Sequence, residues 1–295
     1  MNIRYRLEAA LLGGVLALLR ALGPVRASNF AGWLARRLGP LLAVTRVADA
    51  NLRLAMPELD AAARRRIIAG VYDNLGRTIA ELPHLAALHR NTAGPGWEIA
   101  PECDAAMRAL AAHGGPAIFL TAHFGNWEIL PAAAASFGVP LAVVYRAANN
   151  PLVDAMINRL RDQGAGGKAT LFPKGAEGAR ATLRHLSGGG YLGILPDQKM
   201  NDGIEVPFFG HPAMTAPALA ALALRYRCPV IPAYAYRIGP ARLRIVCEPS
   251  LVLPDSGDRQ ADILALTLSV NQCLERWIRA RPECWFWLHR RWPRR

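Results

Sequence analysis

Lysine is nearly missing from this sequence: of 35 basic residues only Lys168, Lys174 and Lys199 are not arginine. Acids are scarce as well, 22 in all, which leaves a formal net charge of +13. That balance attracts something acidic: nucleic acid, anionic lipid or an acidic carrier protein. No uninterrupted run of about 18 apolar residues occurs, which excludes a multi-pass membrane protein. The five cysteines (Cys103, Cys228, Cys247, Cys273, Cys284) are odd in number and form no CxxC pair. They read as reduced thiols and argue against a disulfide framework or a zinc module. HExxH and GxSxG are both absent, so neither a zinc hydrolase nor a serine hydrolase with a nucleophile elbow is indicated. Gly164-Ala165-Gly166-Gly167-Lys168 fails as a phosphate loop. Asp162 stands where the first glycine belongs, and Ala169 where a hydroxyl should meet magnesium.

What is abundant is apolar material, 52% of a 295-residue chain with only 19% charged. That length suits one large α/β domain with a smaller N-terminal part. The first 48 residues hold seven arginines and one acid, Glu8, around the apolar run Ala9 to Leu19. Eleven residues are short for a span, and Pro24 interrupts any extension. Arg20 and Arg26 occupy the place of a signal-peptide cleavage site. The segment 1–45 therefore reads as an anchor lying in the bilayer surface, its basic flanks suited to the anionic cytoplasmic leaflet. A hydrophobic helix packed on the domain is the alternative.

Residues 46–90 have helical periodicity. Pro57 ends one segment, and Asp60 is placed to cap a helix carrying Ile67, Ile68, Val71, Leu75, Ile79 and Leu82. From about 115 the pattern alternates strand and helix. Strands are expected at 117–120, 141–145, 169–172, 191–195, 230–236 and 243–246. Helices are expected between them and over 259–279. The implied fold is α/β, with a mostly parallel central sheet flanked by helices spanning 46–295.

His123 falls just after the first of these strands, and Glu128 follows five residues later. On one ideal helix those positions would lie about 140° apart and would not meet. Gly125 permits a sharp turn, however, and Asn126 suits an N-cap for a helix beginning at Trp127. His123 on the loop and Glu128 in the first turn could then pair. A carboxylate holds an imidazole in one tautomer and makes it a stronger base, able to take a proton from an attacking alcohol or amine.

His123-Phe124-Gly125-Asn126-Trp127-Glu128 resembles the His-x4-Asp/Glu box of the glycerolipid acyltransferase superfamily, and more closely the bacterial lipid A secondary (lauroyl and myristoyl) acyltransferases. Further segments resemble that family in the same order. They are Asn51-Leu52 with Met56-Pro57-Glu58, Val144-Tyr145-Arg146 with Asn150-Pro151-Leu152, Leu195-Pro196-Asp197-Gln198, Val206 to Gly210, and Trp287 to Trp292.

The resemblance implies His123 as general base and Glu128 as its orienting carboxylate, with no covalent acyl-enzyme. It implies substrate-binding roles for Arg146, for the pair Arg159 and Arg161, and a supporting one for Asp197, with Gln198 a weaker candidate. Lys174 stands where many relatives carry arginine, and supplies the charge without the bidentate fork. The donor would be an acyl thioester of acyl carrier protein or coenzyme A, with no cofactor and no metal. The acceptor would be a lipid A precursor, and the place the cytoplasmic face of the inner membrane. A lysophospholipid or other glycolipid acyltransferase using acyl-CoA is the enzymatic alternative. A basic membrane-surface module is the non-enzymatic one; nucleic acid is not the expected partner. The C-terminal tail, with Trp277, Trp285, Trp287 and Trp292 among arginines, suits either a membrane interface or closure of the core.

Overall fold

Pro24 carries no N–H, and the long N-terminal helix bends there. In the computed structural model, which describes residues 2–91 and 93–293, α1 (Ile3–Leu38) kinks at Gly23, whose φ is 70°. The side chain of His84 donates from Nε2 to the Leu19 carbonyl beside the kink (3.1 Å). Of the described helices, α1 is the one long and apolar enough to cross a bilayer. One face packs on the domain through Leu16, Leu19, Ala27 and Ser28, while Ile3, Leu7, Leu11, Val15 and Leu18 remain exposed.

Next come α2 (Thr45–Ala55) and α3 (Ala61–Glu81). The Asp60 carboxylate accepts from Ala63 N at 2.6 Å, the expected cap. After β1 (Gly96–Ile99) and α4 (Pro101–His113) the α/β alternation begins with β2 (Ala117–Leu120) and α5 (Ile129–Ser136). It continues through β3 (Leu141–Tyr145), α6 (Pro151–Gly164), β4 (Thr170–Pro173), α7 (Ala176–Ser187) and β5 (Tyr191–Ile194). The hairpin β6 (Ile204–Phe208) and β7 (His211–Thr215) stands apart from the main sheet. Then follow α8 (Ala218–Tyr226), β8 (Val230–Gly239), β9 (Arg242–Cys247) and α9 (Arg259–Ala280).

The main sheet has seven strands in the order β1-β9-β8-β2-β5-β3-β4, and every pairing is parallel except β8 with β9. The expected fold class is therefore observed: α/β, a mostly parallel sheet with helices on its faces, and a long apolar N-terminal helix. β1, α4 and the β6–β7 hairpin were not anticipated. Each is short or lacks a clean period, and β6–β7 contains Pro207 and Pro212, which read as strand breakers.

One sequence expectation is corrected, and one left open is decided. Cys103 on α4 and Cys247 at the end of β9 form a disulfide; 144 residues separate them, so no spacing announced the pair. Cys228, Cys273 and Cys284 are free and buried. The tryptophan-rich tail closes the core: Trp277, Trp285, Trp287 and Trp292 are all buried, the middle two completely. Arg294 and Arg295 of that tail lie outside the described residues.

Several segments of the family-like pattern prove to be joints of the fold. Asn51 donates to the carbonyls of Trp287 (2.9 Å) and His289 (2.7 Å), fastening the tail to α2. Asn150 caps α6, and its amide also reaches Tyr5 O and Glu8 of α1.

Candidate active site

Register brings the central residues together. β2 and β5 are parallel neighbours in which Leu120 lies opposite Ile194. His123 and Asp197 each stand three residues beyond those partners, so both leave the same edge of the sheet side by side. The C-terminal edge of parallel strands is where α/β folds collect ligand-binding groups. The Asp197 carboxylate is completely buried and its Oδ1 lies 3.0 Å from His123 Nδ1. Its Oδ2 accepts from the His123 backbone N–H (3.0 Å) and from Trp285 Nε1 (2.9 Å). Burial works against ionisation of Asp197, but the charge and hydrogen bond of His123 outweigh it, helped by His289 and Trp285. Its pKa lies far below the usual carboxylate range. An ionised Asp197 makes Nδ1 the protonated nitrogen and leaves a lone pair on Nε2. The Gln198 amide nitrogen lies 3.5 Å from that Nε2.

Burial lowers the His123 pKa, yet Asp197 by charge and hydrogen bond, and Glu128 by charge, together raise it above the ordinary value. Lys174 opposes them, so its ammonium is near enough to be felt at the ring. The His123 side chain keeps 26% of its surface exposed, enough for a reactant to reach it.

Glu128 is not the group that holds the ring. Its two oxygens accept from Arg161 Nη2 (2.7 Å) and Nε (2.8 Å) in a bidentate pair. The expected pairing of His123 with Glu128 is thus replaced by two pairs, His123–Asp197 and Glu128–Arg161. The cause lies in the turn. Asn126 accepts from Glu128 N (3.1 Å) in the turn but does not cap the helix, which begins only at Ile129 with Glu128 as its N-cap, so Glu128 faces α6. Arg161 is therefore committed to an ion pair within the protein. Arg159, expected beside it, is exposed on α6. Arg146 follows β3 directly and is exposed; Lys174 follows β4 and donates its backbone N–H to Tyr145 O (2.8 Å). Both cations therefore sit at the same sheet edge as His123.

The loop carrying His123 is clamped from three sides. Phe286 N donates to His123 O, and Gly125 N to Cys284 O. Gly125 lies against β8 with φ of 58°, and a Cβ there would sit 1.7 Å from the Ala235 oxygen. Glycine is required for both reasons. From α3, Asn74 (2.9 Å) and Thr78 (3.2 Å) donate to the Gly125 carbonyl.

Beneath these stands Glu81, fully buried on α3. It accepts from Arg237 Nη2 (2.6 Å), Asn126 Nδ2 (2.7 Å) and Ser28 Oγ of α1 (2.7 Å). Glu81 escaped sequence reasoning. Asn74, Thr78 and Glu81 are spaced i, i+4, i+7 among the apolar residues of α3, and such a polar stripe within a buried face was the available signal.

Beside His123 a narrow apolar pocket with about 50 Å³ of free interior, partly continuous with solvent, runs across the sheet beneath α5. Trp127, whose ring lies 5.3 Å from the imidazole, and Thr121 line its near end. Thr121 Oγ1 is buried without a hydrogen-bond partner among the described residues. The arrangement joins a carboxylate-held imidazole, exposed cations and an apolar pocket.

No curated protein shows significant sequence similarity to the chain. The family model for bacterial lipid A biosynthesis acyltransferases matches residues 3–294, essentially its whole length, and the chain belongs to that family.

Proposed function

We propose that the protein transfers a fatty acyl chain from acyl carrier protein to a hydroxyl of a lipid A precursor, with His123 as general base. The observation that carries this reading is the His123–Asp197 pair, whose imidazole packs on Trp127, a residue that lines the apolar pocket. An acyl chain in that pocket leaves its thioester carbonyl near Nε2, which carries the lone pair.

The acceptor hydroxyl gives its proton to Nε2 as its oxygen attacks the carbonyl carbon. The tetrahedral intermediate collapses with cleavage of the C–S bond, and the thiolate leaves with the proton returned from Nε2. An ester and a free carrier thiol result, no acyl-enzyme forms, and no cofactor or metal is needed. Asp197 holds the imidazole and stabilises the imidazolium. Glu128 acts by its charge and by fixing Arg161. Arg146, Lys174 and Arg159 supply cations for acceptor phosphates, Arg146 and Arg159 with a fork that fits them.

The net charge of +13 favours an acidic carrier protein as donor and an anionic surface as workplace. The uncovered apolar stripe of α1 and its arginines suit attachment to the cytoplasmic face of the inner membrane. The test is acyl transfer to a lipid A precursor from acyl carrier protein and acyl-CoA thioesters, comparing wild type with folded His123→Ala. Transfer from the carrier protein that is lost in the variant supports the reading. Equal activity in both, or none from wild type, overturns it.

A further inference from the structure

The apolar pocket ends on a side chain that has charge behind it. Phe137 caps the C-terminus of α5, at the opposite end of that helix from Trp127 and His123. The phenyl ring lines the pocket, together with Met107 and Ile99. It also lines a separate, open surface hollow with Arg90 and Arg108. Both guanidinium carbons lie 5.8 Å from the Phe137 ring centroid. Both arginines are also ion-paired to Asp104 on α4, which fixes them over the ring. A single aromatic side chain therefore separates a hydrocarbon-lined space from a wet, cationic one.

We infer that Phe137 is the specificity-determining residue for acyl-chain length: it forms the floor against which the terminal methyl of the bound chain comes to rest. This rests on the acyl-transfer reading above. Each methylene buried in the pocket favours binding by about fourfold. That gain ends where the chain meets the ring, because a longer chain must displace Phe137 into the arginine pair or fold back on itself. The cutoff is sharp since the floor is held in place by the two guanidinium groups and by the buried Trp97, whose ring centroid lies 6.1 Å from that of Phe137. Among the described residues Phe137 makes no hydrogen bond or ring contact with His123, Asp197 or Trp127, so replacing it changes the length of the pocket without touching the catalytic pair.

The experiment is a ladder of saturated acyl–carrier-protein thioesters from 8 to 18 carbons, read as kcat/KM for wild type, Phe137→Ala and Phe137→Trp. Binding of the free fatty acids of the same lengths is measured in parallel on the full chain. In Phe137→Ala the preferred length moves up by two or more carbons, with a gain of about tenfold for the longer donor relative to the wild-type optimum. In Phe137→Trp it moves down, and the binding ladder shifts the same way. Phe137→Leu serves in place of alanine if the larger truncation unfolds the protein. Folded, active variants whose profiles keep the wild-type optimum overturn the role of Phe137, as does a uniform loss across all lengths. Wild-type protein that transfers no chain of any length overturns the functional reading instead.

Discussion

Asp197 touches His123 twice, once at the ring and once at the backbone: Oδ1 meets Nδ1 and Oδ2 accepts the main-chain N–H, each at 3.0 Å. With the Trp285 indole also on Oδ2, three donors converge on one buried carboxylate. Every one of those bonds requires the carboxylate to accept, and this constrains what can replace it.

In Asp197→Asn the amide oxygen keeps the two N–H groups at the Oδ2 position, so the amide NH2 faces His123 Nδ1. That nitrogen must then accept, the proton moves to Nε2, and the base loses its lone pair. The expected result is a fall in kcat of about 10³–10⁴-fold with near-native folding, following the logic of carboxylate-held histidines. Steady-state kinetics and near-ultraviolet circular dichroism check it.

The pH dependence follows from the raised His123 pKa. A base must be neutral to act, so the rate rises with pH through an inflection above the ordinary histidine value near 6.5. Stability has the opposite sign for this group. A raised folded pKa contributes fully below the unfolded value and is lost as pH rises through the folded one. For Asp197, whose pKa is depressed, the contribution is present above the ordinary carboxylate value and is lost on acidification below it. The melting-temperature difference between wild type and His123→Gln is therefore largest between about pH 4 and 6.5 and shrinks above it.

Glu128 and Arg161 should behave as one unit. If Glu128 acts mainly through Arg161, then Glu128→Gln, Arg161→Met and the double variant lower kcat by similar factors, with strong non-additivity. Additive losses would show that Glu128 serves His123 independently. Side-chain exposures of 27% and 13% temper the stability cost of breaking the pair, about 1–3 kcal/mol by urea denaturation.

Glu81→Gln leaves the half-buried Arg237 beside a neutral amide and takes the charge from the group that holds Asn126. A cost of about 3 kcal/mol is expected. It should be accompanied by loss of activity even where the protein remains folded, because the loop bearing His123 loses its lower support. Urea midpoints and kcat measured on the same preparation separate the two effects.

Leu11→Glu with Leu18→Glu places two charges on the uncovered stripe of α1. Vesicle binding should weaken by about tenfold or more for each leucine lost. The residual binding should favour anionic over neutral vesicles and fall with added salt. Co-sedimentation across a salt series reads all three.

Much of the fold was legible because its rules are local. Asp60 and Asn150 cap where a short polar side chain meets a free N–H, and Pro24 bends α1 because it lacks one. The period change near residue 115 marks the passage from helices to alternating strands. β1 and the β6–β7 hairpin were illegible because their pairing partners, not their own sequences, make them strands.

By itself the sequence determined which residues reach the candidate site: a histidine on a tight Gly125 turn after a buried strand, an acid after another, and cations after two more. Turns, caps and periodicity act over a few residues and survive reading in one dimension. Only the tertiary structure decided the partnerships. β2 lies beside β5 because two crossovers place β3 and β4 farther out, and this brings Asp197 to His123 across 74 residues. The same packing sets α6 against α5, so Arg161 takes the carboxylate of Glu128 and the nearer acid in sequence becomes the more distant partner in space.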